Sequence, residues 1–128
     1  MLTVYVAHYG HPQLRGARHW AILIQLPSGL FKTYHIEGST NSYKLLPVEI
    51  VDLEKSSSYM GKVPVGQVDE TRVQVFQDVA MATPVVLGSL QWNCQNWVVD
   101  ALKAVKKEGF DIKDYNVETL QNLLSKVT

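Results

Sequence analysis

Two stretches dense in branched and aromatic side chains, HWAILIQL (19–26) and LFKTYHIEG (30–38), are separated by Pro27-Ser28-Gly29. Three-residue hairpin loops commonly run as a type I turn followed by a residue in the left-handed region. Proline suits the first position because its φ is preset, and glycine suits the last because it lacks a Cβ. This loop pairs Leu26 with Leu30, which puts Ala21 opposite His35 and His19 opposite Glu37. Side chains alternate between faces along a strand, so the register also assigns the faces. One face carries Trp20, Ile22, Ile24, Leu26, Leu30, Tyr34 and Ile36, with Lys32 its one charge, and reads as core. The other carries His19, Ala21, Leu23, Gln25, Phe31, Thr33, His35 and Glu37 and is mixed. On that mixed face His19 and His35 are diagonal neighbours, close enough for their side chains to meet. A slip of one residue would separate them.

The hairpin belongs to a strand-like front half. Leu2–Ala7 reads as a strand, and residues 8–18, with two glycines and a proline, as a loop. Tyr43–Leu53 is a further apolar stretch that Pro47 interrupts, which predicts an edge or broken strand. Tyr59–Val68, holding Gly61, Pro64 and Gly66, reads as a loop or short edge strand. The back half changes to helical period. Asp69–Met81 has Val73, Phe76, Val79 and Ala80 at helical spacing behind Asp69 as N-cap. Asn93–Glu108 shows the clearest stripe, Cys94, Val98, Ala101, Leu102 and Val105. Lys103, Lys106 and Lys107 complement its negative end, and Gly109 stops it. Asn116–Val127 predicts a third helix on Val117, Leu120, Leu123 and Leu124. Strands followed by helices predict an α+β fold, a small antiparallel sheet packed against about three helices. With 128 residues, 46% of them hydrophobic, the chain is expected to form one domain spanning 1–128.

Composition narrows the function. Lys+Arg and Asp+Glu number 12 each, so no global field favours nucleic acid, and no nucleic-acid partner is expected. No apolar run reaches the roughly 18 residues of a bilayer span, and the apolar start is too short for a signal peptide. No integral membrane segment is expected, and a cytoplasmic setting is. The single cysteine excludes an internal disulfide framework and a multi-cysteine zinc module. It suits a reducing compartment.

That cysteine, Cys94, lies in QWNCQNW (91–97). With Asn93 as N-cap, Cys94 opens the helix, where unpaired N–H groups and the dipole favour a thiolate. If the helix packs on the mixed sheet face, the sulfur arrives beside His19 with His35 behind, which is a nucleophile, a base and an orienting group. Taken alone, a free cysteine on an apolar stripe is ordinary core and a strand histidine an ordinary packed residue; their conjunction points to chemistry. Glu37 rivals His35 as the orienter, since a carboxylate would also hold the imidazole tautomer. Trp20, Glu37, Trp92, Asn93, Gln95 and Trp97 are the pocket candidates, the tryptophans being equally suited to core. His8 and His11 suit a loop near the site better than a metal, and Arg15 and Arg18 suit an anionic substrate or a solvated loop. No metal and no cofactor are expected.

His19-Trp20-Ala21 opening a strand, a second histidine across a hairpin, and Asn93-Cys94 opening a later helix resemble the circularly permuted papain-like thiol enzymes, in their lecithin–retinol acyltransferase branch. The order His, His, Cys is the permuted one. The resemblance implies a papain-like fold in permuted order, with Cys94 as nucleophile, His19 as general base and His35 orienting that base. It implies a Cys-His-His acyl-transfer enzyme, a hydrolase or acyltransferase acting on an amide, ester or thioester. The acyl substrate would be a small molecule, a lipid or a peptide. Where the branch has Glu-His after the cysteine, this chain has Gln95-Asn96, and Trp97 replaces a phenylalanine. That departure motivates the alternative, a catalytically silent binding or interaction module on the same fold.

Overall fold

The computed structural model describes residues 1–10 and 18–127. The expectations for His11 and Arg15, and most of the 8–18 loop, lie outside the described residues. The strands are β1 (Leu2–Tyr9), β2 (His19–Gln25), β3 (Phe31–Tyr34), β4 (Ile36–Glu37), β5 (Lys44–Leu45), β6 (Glu49–Val51), β7 (Tyr59–Val68) and β8 (Asp111–Ile112). The helices are α1 (Val73–Met81), α2 (Cys94–Lys107) and α3 (Val117–Ser125). Six strands form one sheet in the order β6-β3-β2-β1-β7-β8, and β4 pairs with β5 in a small second sheet. Every pairing is antiparallel. The class is α+β, as the change of period predicts.

The hairpin register is the derived one. Gln25 pairs with Phe31, Leu23 with Thr33 and Ile22 with Tyr34. Leu26 N–H donates to Leu30 O at 2.8 Å, and Gly29 closes the turn at φ +88°. Beyond Tyr34 the expected single strand 30–38 divides. The His35 carbonyl accepts from Leu46 N–H at 3.0 Å, and Ile36–Glu37 pairs with Lys44–Leu45 instead of continuing along β2. The β2–β3 ladder therefore ends at Ile22–Tyr34. The break expected at Pro47 is present, with β5 before it and β6 on the sheet edge after it.

β7 corrects the loop reading of Tyr59–Val68. It is a ten-residue strand between β1 and β8. The residues that resemble breakers each have a place in it. Pro64 sits opposite Tyr5 at a register shift, where a missing N–H is tolerated. Gly66 lies so close to β8 that a Cβ there would stand 2.1 Å from the Asp111 carbonyl oxygen. β1 likewise runs on through His8 and Tyr9, which the sequence reading assigns to a loop.

All three helices cover one face of the sheet. Trp20, Ile22, Ile24, Tyr34 and Ile36 share a core with Phe76 and Ala80 of α1, with Trp97, Val98, Ala101, Leu102 and Val105 of α2, and with Leu120 and Leu124 of α3. The condition under which the sequence reading brings the sulfur beside His19, that α2 packs on the mixed face, is therefore not met. The broad apolar stripe of α2 finds the larger continuous apolar surface on the Trp20 side, whereas the other side would bury part of it against Thr33 and the histidines. The mixed face has its own smaller cluster, Ala7, Ala21, Leu23, Phe31 and Leu53. Among the described residues no helix is long and apolar enough to cross a membrane.

Candidate functional site

Asn93 has extended backbone geometry, and its side chain accepts from Gln95 N–H at 2.9 Å, while the Asn96 side chain accepts from Asn93 N–H at 3.0 Å. This reciprocal capping box starts α2 at Cys94. Since α2 runs along the Trp20 face, its first residue reaches the end of the sheet instead of crossing the mixed face. There β2 begins and the chain leaves β3, and the sulfur meets the backbone of Arg18 and Trp20. Cys94 Sγ lies 3.8 Å from the Arg18 carbonyl, to which Gln95 Nε2 also donates at 3.0 Å. Cys94 is half-buried and lines a cleft with His19, Ile36, Glu37, Gly38, Tyr43 and Asn93. The cleft holds about 360 Å³.

Behind the cleft, His19 Nε2 and His35 Nδ1 are 2.7 Å apart, a hydrogen bond between imidazoles. His35 and not Glu37 therefore holds the His19 ring. Glu37 is exposed and ion-paired with Lys44 at 3.5 Å. Burial pushes His19 down to about 4, the neighbouring His35 adds to this, and the Glu37 charge opposes it. His35 is likewise lowered, chiefly by burial. Burial pushes the Cys94 thiol up, against the pull of the Trp20, Cys94 and Gln95 N–H groups. Burial thus opposes and outweighs the helix-start N–H groups that the sequence reading expects to favour a thiolate. With His19 low and Cys94 high, the resting groups are a neutral imidazole and a neutral thiol.

Residues 4–110 match the model of a family of unknown function, DUF6540. The chain belongs to that family. No curated protein and no solved structure matches it. The match runs from Val4, within β1, to Phe110, so both histidine positions and the thiol helix of this DUF6540 domain lie within it, and α3 follows it.

Of the other pocket candidates in the DUF6540 domain, Asn93 and Glu37 line the Cys94 cleft. Trp20 and Trp97 are core, 1% and 0% exposed, and the Trp97 indole donates to Thr83 O at 3.1 Å. Gln95 is buried, bridging Arg18 O and, through Oε1, Gln121 Nε2 of α3 at 2.9 Å. Trp92 stands at the margin, edge-on to Tyr43 with ring centroids 5.6 Å apart, its indole 3.3 Å from Asp100. Tyr43, which the sequence reading names only as the start of an apolar stretch, lines the cleft with Cys94, and its pKa is raised by burial first and by the nearby sulfur second. No local pattern marks it, because only the β4–β5 pairing brings it there. Among the described residues no group of three or more His, Cys, Asp or Glu side chains is arranged to hold a metal ion.

A second cavity of about 460 Å³ lies on the mixed face, lined by His19, His35, Tyr9, Thr33, Glu49 and Asp52 among others. His19 lines both cavities, whereas His35 lines only this one. The His19 ring is thus common to the two cavities, and His35 meets it from the mixed-face side.

Proposed function

We propose that this DUF6540 domain is a thiol-dependent acyl-transfer enzyme with a permuted papain-like order of His19, His35 and Cys94. Its substrates are amide, ester or thioester carbonyls of a small molecule, lipid or peptide. The proposal includes a cytoplasmic setting, where a lone thiol stays reduced. The observation that carries it is that His19, which lines one cleft with Cys94, is held from behind by a 2.7 Å bond to His35.

The chemistry follows from the ring nitrogens. The reaction uses the tautomer in which His19 Nε2 donates to His35 Nδ1, which leaves His19 Nδ1 an unprotonated acceptor. When substrate fills the cleft, Nδ1 takes the Cys94 proton as the sulfur attacks the carbonyl carbon. The Cys94 N–H at the start of α2 donates to the resulting oxyanion. Collapse breaks the bond to the leaving group, which takes the proton from His19 and leaves a thioester on the sulfur. Water or an acceptor amine or hydroxyl then attacks that thioester. His19 removes the acceptor's proton and returns it to the departing sulfur, which restores the thiol. Starting from a neutral pair, the enzyme needs the base in the transition state more than a standing thiolate.

The test is acylation by p-nitrophenyl acetate, followed by intact mass. One acetyl group is expected on Cys94 and none on Cys94→Ser. His19→Ala should slow acylation by roughly 10²- to 10⁴-fold, the usual contribution of a positioned base. A rate unchanged by His19→Ala rejects the proposal. The second reading, a binding module that has no catalysis, draws on the burial that holds the thiol neutral. Absence of any acyl adduct on the folded protein would favour it.

A further inference from the structure

The mixed-face cavity holds chemistry that the thiol reaction does not use. Thr33 is 4% exposed, and its Oγ1 has no hydrogen-bond partner among the described residues. A buried hydroxyl is ordinarily paired, so an orphan one beside a cavity calls for a partner that enters it. Thr33 pairs in register with Glu49 of β6, which puts both side chains on the face that carries His35. Asp52 brings a second carboxylate to the same cavity, with Oδ1 accepting from Glu54 N–H. No lysine or arginine lines it among the described residues. Val51 and Leu53 supply an apolar wall, and Tyr9 an aromatic one. The volume, about 460 Å³, is within the range of small-ligand pockets.

We propose that this cavity binds a compact organic cation with an apolar body and a hydroxyl tip. The ammonium group meets Glu49 and Asp52, the body lies against Val51, Leu53 and Tyr9, and the hydroxyl bonds Thr33 beside His35. Because His35 Nδ1 is engaged with His19, an occupant at its remaining edge adjoins the group that orients the base. The site does not depend on Cys94 being reactive.

Tyramine is the probe, because it joins an ammonium group, an aromatic body and a hydroxyl. Phenethylamine lacks the hydroxyl, and 3-(4-hydroxyphenyl)propionate exchanges the cation for an anion. Calorimetry on the wild-type chain should give saturable tyramine binding, weaker binding of phenethylamine and none of the propionate. Ring-nitrogen NMR should show His35 signals shifting with occupancy. Thr33→Val keeps the shape and removes the hydroxyl, and Glu49→Gln alters an exposed residue; each should weaken tyramine about tenfold. Absence of saturable binding, equal binding of all three compounds, or affinity unchanged in both variants overturns the proposal. Tyramine carries no acyl group, so these outcomes are separate from the success or failure of the acylation test.

Discussion

The two faces of the large sheet are built to different depths. One lies beneath all three helices and forms a continuous core with Trp97, Leu102 and Phe76 at 0% exposure. The other has a cluster of five buried residues and leaves a cavity next to two histidines. The thick layer anchors α2 so that its first residue is carried to a fixed place. The thin layer leaves titratable groups half-buried and within reach of solutes. The Cys94 cleft lies where the two meet, at the open end of β2. Packing therefore positions the sulfur, and its absence gives the imidazoles access.

The sharpest test of that contrast is to remove one large side chain from each layer. Trp97→Ala should cost about 3–5 kcal/mol and orphan the Thr83 carbonyl, whereas Leu53→Ala, bordering a cavity already, should cost about 2 kcal/mol. Urea unfolding of both variants measures this, and equal losses would mean the layers are equivalent.

Acid should act on the thin side. His19 is near 4 in the folded chain against 6.5 unfolded, so the unfolded state binds more protons in that interval. Stability should be flat above pH 6.5 and fall as the pH drops toward 4. His35 and the buried His8, both lowered, act in the same direction. His19→Gln should flatten the slope of midpoint against pH; an unchanged slope would mean His19 is not depressed.

Loss of the cap probes the thick side where it touches the cleft. Asn93→Ala should cost about 1 kcal/mol in thermal unfolding and raise the iodoacetamide rate at Cys94 as the first turn frays. The smallest effect belongs to the surface. Lys106→Ala breaks the 2.9 Å pair with Asp114 and should change stability by only about 0.2–1 kcal/mol, with the thiol rate unaltered.

The register of the hairpin from Ile22–Tyr34 to Gln25–Phe31 is legible because Pro27-Ser28-Gly29 suits a three-residue loop, whereas the turn of His35 away from β2 toward β5 is not. The start of α2 is legible because Asn93 is a strong cap. Three other features are not. Gly61, Pro64 and Gly66 look like breakers until β1 and β8 are known to need a bulge and a close approach there. The stripe on α2 says that the helix is covered but not by which face of the sheet. The Thr33–Glu49 pair depends on β6, three residues long, whose partner strand is 16 or more positions back and leaves no local pattern.

Gln95 stands next to the sulfur and gives its two amide atoms to different parts of the chain: one to the carbonyl that Sγ also touches, the other to Gln121. It is a strut between the C-terminal helix and the backbone that enters β2. A change in α3, outside the stretch that matches the family, would thus be transmitted to the sulfur without altering any residue that lines its cleft. Variants of this chain that differ only in α3 would then differ in how firmly they hold the same thiol.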